Sequence, residues 1–293
     1  YFDKSLSKNK LPKIIKFNKN LLLNVDVIFT ALPNGESQKI SKLLLKKNTL
    51  IDLSADFRLK KSNDFFKWYK IKHKAKNMIK NSIYALPEIN RNNIKNNKII
   101  SCPGCYPTSI LLPLIPLLKN KLISNNNIII DSKSGYSGAG RGVHKKYIKK
   151  NLYESLSAYG ITTHRHNSEI QQELDLCTGE KNNFQFTPHL TPMFKGILST
   201  IYVDLRKGVT KNKVNLVLNN YFKKEIFVNV AKPNTLLSTN DVINTNKCII
   251  SVCKSKDKNK LIILSVIDNL IKGGSGQAVQ NMNILYNLNE NEG

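Results

Sequence analysis

The chain has 293 residues, 41% of them hydrophobic, and a formal net charge of +26. This length allows one large domain or two ordinary ones, and no apolar run approaches the roughly 20 residues of a membrane-spanning helix. The basic residues are spread through every segment, and no zinc-finger, RNP or helix-turn-helix pattern accompanies them, so we expect neither a membrane nor a nucleic-acid partner. The positive field would still attract anionic, phosphorylated ligands.

The first third of the chain alternates strand and helix patterns. An apolar strand pattern covers residues 25–31, a helix pattern covers 37–47, and a second strand pattern covers 49–53. This rhythm predicts a parallel α/β sheet with ligands at the carboxyl ends of its strands, where the segments 31–33 and 54–58 lie. No G-x-G-x-x-G turn precedes the first strand pattern.

A C-x-x-C sequence stands at the centre of the chain. The apolar run 97–100 predicts a buried strand, Pro103-Gly104 predicts a tight turn, and an apolar helical face begins at Ser109. Cys105 is therefore expected at a helix N-terminus, where the helix dipole can lower a thiol pKa from about 8.5 to roughly 3.5–7.5 and make the sulfur a nucleophile. Three alternatives stay open from this stretch: a buried structural cysteine, thioredoxin-like redox chemistry, and zinc shared with Cys248 and Cys253.

Two further segments carry candidate site residues. A strand pattern at 128–131 runs into the glycine-rich segment 134–142, which either approaches a ligand closely or is simply a flexible loop, and whose Arg141 could bind a phosphate or carboxylate. His164-Arg165-His166 precedes a predicted helix at 168–177 with Ser168 as its N-cap. These residues could supply a base for Cys105 and a cationic pocket, or bind a metal for which no third ligand stands nearby.

The last part of the chain changes from strand–helix alternation to hairpins. Strand patterns at 184–186, 196–203, 248–252 and 261–267 are joined by a helix pattern at 209–221, and a final helix is predicted at 275–288. We therefore expect two domains with their boundary near Cys105, and a final helix that packs back on the first domain. The five cysteines are unevenly placed and no signal peptide is evident, so we expect a reducing, cytoplasmic location.

Taken together and in order, these motifs resemble the N-acetyl-gamma-glutamyl-phosphate reductase family. The matching runs are 53–58, 103–108, 137–141, 164–166, 186–190, 192–193 with 196–198, and 268–270 with 276–283. The resemblance implies an α/β fold with three parts. These are the remainder of a Rossmann-type parallel-sheet domain (1–104), a glyceraldehyde-phosphate-dehydrogenase-like α/β catalytic domain with a mixed sheet that carries the oligomer interface (105–268), and a returning C-terminal helix (269–293).

The resemblance also implies the chemistry. The enzyme would use NADPH to reduce N-acetyl-glutamyl 5-phosphate to the 5-semialdehyde in arginine biosynthesis, as a dimer or tetramer without a metal. Cys105 would be the nucleophile and His166 the acid/base, with His164 as the other possibility for that role. Substrate-binding residues would be Arg58, Ser134, His164, Arg165 and Glu169, and NADP-binding residues would be Ala31, Leu32, Pro33, Ser137, Gly138 and Asn269.

Three features depart from the family pattern. The family's N-terminal strand and glycine-rich turn are not found, so we expect a chain without them to bind NADPH poorly and to expose a sheet edge. Cys102 stands where Asn is common, and we expect it to form a reversible disulfide with Cys105 under oxidation. Pro113 adds a second proline to the helix behind the nucleophile. The alternatives are a related semialdehyde dehydrogenase of the lysine or aspartate pathway, a C-x-x-C thiol oxidoreductase, or an inactive remnant.

Overall fold

The first part of the chain forms a four-stranded parallel sheet. A computed structural model describes residues 14–139 and 154–293. The sheet has the order β1-β2-β4-β3, so its strands end at one common edge. Its strands are β1 (Val27–Thr30), β2 (Thr49–Asp52), β3 (Ser82–Tyr84) and β4 (Ile99–Ser101), and the helices between them are α1 (Ser37–Ser41), α2 (Ser62–Tyr69) and α3 (Pro87–Ile94). Among the described residues β1 pairs only with β2, and Phe29 on it is exposed.

The second part of the chain forms a seven-stranded mixed sheet in the order β6-β7-β5-β8-β11-β10-β9. The pairs β5–β7 and β9–β10 are parallel and the other pairs are antiparallel. The predicted combination of a parallel and a mixed sheet is confirmed. The strands are β5 (Ile128–Gly135), β6 (Ser157–Ala158), β7 (Phe184–Thr191), β8 (Ile197–Asp204), β9 (Val228–Val230), β10 (Cys248–Lys254) and β11 (Lys260–Ile267).

One face of the large sheet is covered by helices and the other is open. The covering helices are α4 (Cys105–Lys119), α5 (His166–Thr178) and α6 (Lys211–Phe222). Residues 106–118 of α4 are all buried, most of them in the main hydrophobic core, and the helix stays continuous through Pro113 and Pro116. On the other face Ile129 and Tyr202 are about two-fifths exposed, at 43% and 41%.

The chain then returns to the first sheet. A π-turn over Ile271–Ser275 leads directly into α7 (Gly276–Leu285). Ala278 and Ile284 of α7 lie in one buried apolar cluster with Ile51, Ile100 and Cys102. Burial of apolar surface therefore holds the end of the chain against the parallel sheet. No described helix has both the length and the apolar character needed to cross a bilayer.

Two predicted helix boundaries are wrong. The helix expected over 37–47 ends at Ser41, because the buried Asn48 side chain stabilises a turn there instead. Its Oδ1 accepts the Leu45 N–H, and its Nδ2 donates to the carbonyls of Leu22 and Val25. The helix expected to begin after a Ser168 cap begins at His166, and the Ser168 hydroxyl instead donates to the Arg165 carbonyl.

Three other elements differ from the prediction in length or type. The strand patterns at 128–131 and 184–186 continue to Gly135 and Thr191, because the two strands pair in parallel register along their whole length. The final helix is preceded by the π-turn and ends at Leu285.

Candidate active site

Cys105 is the first residue of α4, on the strand–turn–helix corner that the sequence predicts. Strand β4 ends at Ser101, the backbone N–H of Cys102 donates to the Asp52 carbonyl at 2.8 Å, and Gly104 is the helix N-cap. The corner therefore lies at the carboxyl edge of the parallel sheet, where α/β proteins bind their ligands.

Burial raises the pKa of the Cys105 thiol to about 11, although the backbone N–H groups of Tyr106 and Cys105 itself pull it down. The expected lowering of this pKa is therefore wrong. Removal of the sulfur from water outweighs the helix N-terminus, and the side chain rests as a thiol. Cys102 is 1% exposed, and burial raises its thiol pKa to about 12. Both thiols are free in the structure, and the predicted disulfide between them stays a prediction.

The His166 imidazole lies directly against Gly104, the residue before Cys105. A Cβ added to Gly104 would stand 2.3 Å from His166 Nε2, so only a glycine allows this approach. The His164 ring lies edge-on to the His166 ring, with 4.7 Å between their centroids, and both rings pack against Tyr106. The two imidazoles thus contact the residues on either side of Cys105.

Both imidazoles are neutral. Burial lowers the pKa of each to about 3. The second largest cause for His164 is the repulsion that two protonated rings would feel, and for His166 it is the positive charge of Arg58. His164 Nδ1 accepts the backbone N–H of His166 at 3.1 Å. His166 Nδ1 is buried and has no hydrogen-bond partner among the described residues. The geometry thus uses Nδ1 of His164 internally and leaves Nδ1 of His166 without a partner among the described residues.

Glu169 is the centre of the hydrogen-bond network beneath this corner. Its side chain is fully buried, and its carboxylate accepts from Arg58 Nη1 at 2.9 Å, from the Gly104 N–H at 2.9 Å and from the Tyr84 hydroxyl at 3.1 Å. A carboxylate on α5 therefore holds the first sheet and the nucleophile corner together. Tyr84 was missed by the sequence reasoning, although its place at the end of a strand was a usable signal.

The two arginines predicted to bind substrate, Arg58 and Arg165, differ from each other in their surroundings. Besides its bond to Glu169, Arg58 donates through Nη2 to the Leu53 carbonyl at 2.8 Å, while its buried Nε has no partner among the described residues. Its charge is thus already paired, and its binding of a substrate anion stays a prediction. The exposed Arg165 guanidinium lies over the Tyr69 ring, 5.2 Å from its centroid.

The residues predicted for the nicotinamide lie together on a second side of the site. Asn269 Oδ1 accepts the Gly196 N–H at 2.7 Å and its Nδ2 donates to Ser137 Oγ at 3.1 Å, which leaves one amide hydrogen for a ligand. A Cβ added to Gly138 would lie 3.0 Å from Ser134 Oγ and 3.4 Å from Asn269 Nδ2. The glycine therefore lets its backbone lie close to both of these side chains. These groups fit the carboxamide end of a nicotinamide cofactor.

The other predicted cofactor residues lie at the edge of the parallel sheet. Ala31, Leu32 and Pro33 form an exposed segment that directly follows β1. The glycine-rich segment is described only to residue 139, and Arg141 lies outside the described residues.

Within the described ranges, no group of three or more His, Cys, Asp and Glu side chains is placed to hold a metal ion. Cys248 lies in β10, with its Sγ 3.5 Å from Ser265 Oγ.

Comparisons with known proteins define the class first. The family model "Semialdehyde dehydrogenase, NAD binding domain" matches residues 3–97, and "Semialdehyde dehydrogenase, dimerisation domain" matches residues 105–269. A solved structure of aspartate semialdehyde dehydrogenase II from Vibrio cholerae superposes with a TM-score of 0.69 over 93% of this chain and 82% of that one. Its sequence identity is 14%, so it shows the fold. The two family models and the shared fold thus place the chain among the semialdehyde dehydrogenases.

Sequence relatives narrow the class. N-acetyl-gamma-glutamyl-phosphate reductase of Desulforamulus reducens is 45% identical over 98% of this chain and 82% of its own length. The probable chloroplastic N-acetyl-gamma-glutamyl-phosphate reductase of Arabidopsis thaliana is 43% identical over 98% of this chain and 72% of its own. The chain belongs to the N-acetyl-gamma-glutamyl-phosphate reductase family, as the motifs predict.

Proposed function

We propose that this protein reduces N-acetyl-L-glutamyl 5-phosphate to N-acetyl-L-glutamate 5-semialdehyde with NADPH and releases phosphate, as a step of arginine biosynthesis. The observation that carries the proposal is the nucleophile corner. Cys105 opens a buried helix, the His166 ring packs on the glycine before it, and Gly273 packs on its Cβ. A neutral imidazole against the residue that precedes the thiol would supply the base that covalent acyl transfer needs. The family relationship favours this reaction over that of the aspartate- or lysine-pathway enzymes and over thiol redox chemistry.

Proton transfer in the first step follows from the two neutral side chains. As Cys105 Sγ bonds to the acyl carbon, the thiol proton moves to His166, the bond from carbon to the phosphate oxygen breaks, and the phosphate takes a proton from solvent. The products are a thioester on Cys105 and an imidazolium. The raised thiol pKa and the lowered imidazole pKa keep both groups neutral until the substrate binds, because burial disfavours each charged form on its own. The anionic acyl phosphate then supplies the counter-charge that an imidazolium needs.

The second step returns that proton to the sulfur. NADPH, when bound, supplies the hydride that converts the thioester to a thiohemiacetal. His166 donates its proton to the developing oxyanion and takes it back as the carbon–sulfur bond breaks, after which the proton returns to the thiolate. Asn269 and the backbone at Ser137 and Gly138 would hold the nicotinamide, and the segment 31–33 would contact the rest of the cofactor.

The reaction run in reverse tests the proposal. We expect the full protein to reduce NADP in the presence of the semialdehyde and phosphate, and Cys105→Ser to lose at least about a thousandfold in rate. Cys102→Ser is the matched control, since its sulfur lies buried behind the corner. Mass spectrometry should find the acyl group on the peptide that contains Cys105. An adduct on another residue, or wild-type turnover by Cys105→Ser, would refute the mechanism.

We further propose that the protein forms a cytoplasmic homo-oligomer, a dimer or tetramer, through the open face of its seven-stranded sheet. Tyr202 on β8 faces outward beside Ile129 of β5 and Ile262 of β11 in the strand registers, which makes a partly apolar surface on a flat sheet. A second copy is the expected partner because the family model for this region is described as a dimerisation domain.

The oligomer is tested by placing a charge in that surface. Light scattering after size exclusion should show Tyr202→Lys shifted towards the monomer, because a buried, unpaired ammonium opposes association. Leu216→Lys is the control, because Leu216 is also exposed but lies on the outer side of α6, on the helical side of the sheet. A Tyr202→Lys protein that keeps the wild-type mass would contradict this interface.

A further inference from the structure

One short segment connects the two sides of the active site. Residues 268–275 carry Asn269 on the proposed nicotinamide side and Gly273 against the nucleophile. A Cβ added to Gly273 would stand 2.6 Å from the Cβ and 3.0 Å from the Cα of Cys105, so the turn backbone contacts the nucleophile residue directly. Any shift of this turn would move Cys105 relative to the cofactor side.

The backbone of this segment is a π-turn, which is rare and occurs mainly at functional sites. The Gly273 N–H donates to the Asp268 carbonyl at 3.0 Å, and the Ser275 N–H donates to the Leu270 carbonyl at 2.9 Å. Asp268 Oδ1 also accepts the N–H groups of Leu270 and Ile271 at 2.9 and 3.2 Å. Asp268 thus fixes the start of the turn, but its centre needs a separate anchor.

Lys272 is that anchor. Its side chain is fully buried, and its Nζ donates to Glu88 Oε1 at 2.6 Å and to Gln280 Oε1 at 2.9 Å. Glu88 is also fully buried, in the first turn of α3, and accepts from Gln280 Nε2 at 3.0 Å. The pair joins the turn that touches Cys105 to a helix of the first sheet, and it lies outside the groups that would meet substrate or cofactor.

Stability alone does not explain this ion pair. Taking both charges out of water costs several kcal/mol each, so a well-packed apolar pair would hold the two elements together as well or better. An ion pair with these hydrogen bonds fixes one geometry, whereas apolar side chains can slide. The location, one residue from Gly273, indicates which geometry is being fixed.

We propose that Lys272 and Glu88 are positioning residues that hold Gly273 against Cys105 and so align the sulfur with the cofactor side of the site. The kinetic part of this inference rests on the proposed function. The alkylation of Cys105 does not, because it needs neither substrate nor cofactor.

The test replaces Lys272 with Met, which keeps the stem and removes the charge. We expect kcat to fall at least about tenfold while KM for both substrates changes by less than about threefold, since a misplaced reacting atom affects the reacting complex more than binding. Alkylation of Cys105 by iodoacetamide should instead become faster, by about threefold or more, because the loosened turn uncovers the sulfur. Lys260→Met, which removes an exposed ion pair with Asp204, is the control for loss of a lysine.

The opposite directions of the two readouts separate positioning from general damage. A folded Lys272→Met protein with wild-type kcat and alkylation would overturn the proposal. If that variant fails to fold, the double variant Lys272→Met with Glu88→Leu removes both charges and restores folding, and it must show the same two changes. The wild-type protein could lack reductase activity while Cys105 is still alkylated faster in Lys272→Met than in wild type. That result would refute the proposed function and leave the positioning role supported.

A neighbouring glycine pair tests the contact itself. Gly273→Ala forces a methyl group into Cys105, whereas the nearest atom to a Cβ at Gly274 is the Asn269 carbonyl oxygen at an ordinary 3.6 Å. We expect Gly273→Ala to lower kcat at least about tenfold and Gly274→Ala to change it by less than about threefold. Equal effects of the two substitutions would contradict a specific contact between the turn and the nucleophile.

Discussion

Replacement of Glu169 by Gln should strongly destabilise the protein. Three donors point at the two carboxylate oxygens: Arg58 at one, and the Gly104 N–H and Tyr84 hydroxyl at the other. A glutamine can keep its carbonyl towards Gly104 and Tyr84, but its NH₂ then faces the guanidinium. The Arg58 charge is left buried without a counter-charge, and loss of one partner of a buried ion pair costs about 3–5 kcal/mol.

Urea unfolding at pH 7, followed by far-UV circular dichroism and by the fluorescence of the single tryptophan, Trp68, measures this loss. Glu173→Gln, one turn further along α5, is the matched control. Burial raises the pKa of Glu173 to about 6, so removal of its charge should leave the free energy of unfolding unchanged or slightly higher. If Glu169→Gln loses less than about 1 kcal/mol, the value of an exposed pair, the described network is wrong.

Three further outcomes are expected. Iodoacetamide alkylation of Cys105 should become about tenfold faster per pH unit from pH 7 to 9, because its thiol pKa is about 11. A rate that levels off above about pH 7 would contradict this value and would indicate the lowered pKa expected from the helix N-terminus. The free energy of unfolding should fall as pH drops below 6.5, by up to about 1.4 kcal/mol per pH unit for each of His164 and His166, since the unfolded chain binds a proton near 6.5 and the folded chain only near 3. His164→Gln should reduce that slope, and equal slopes in variant and wild type would count against the buried neutral imidazole. Thiol titration after mild peroxide should show Cys102 and Cys105 lost together, and retention of both would end the disulfide prediction.

Much of the site's location was available from local pattern. The apolar run before Pro103-Gly104 and the apolar helix after Cys105 are enough to place the cysteine at a strand–helix corner, because turn and helix preferences act over a few residues. The alternation of strands and helices likewise predicts the parallel sheet and its ligand-binding edge.

The partners of Glu169 show where local pattern stops. Arg58, Tyr84 and Gly104 lie 111, 85 and 65 residues from it along the chain, and no spacing rule connects them. The prediction of the length of α1 is wrong for the same reason. The helix ends where the buried Asn48 side chain bonds to carbonyls more than 20 residues away.

By itself the sequence determined the order of strands and helices, the strand–helix corner that carries Cys105, and the family, because these depend on residue types and their spacing. Only the tertiary structure decided the charge states of Cys105, His164 and His166 and the contacts of Gly104 and Gly273. The charge states and the contacts depend on how completely water is excluded from the site and on which distant groups replace it. The packing of the two sheets around α4 sets the exclusion of water and the choice of those groups.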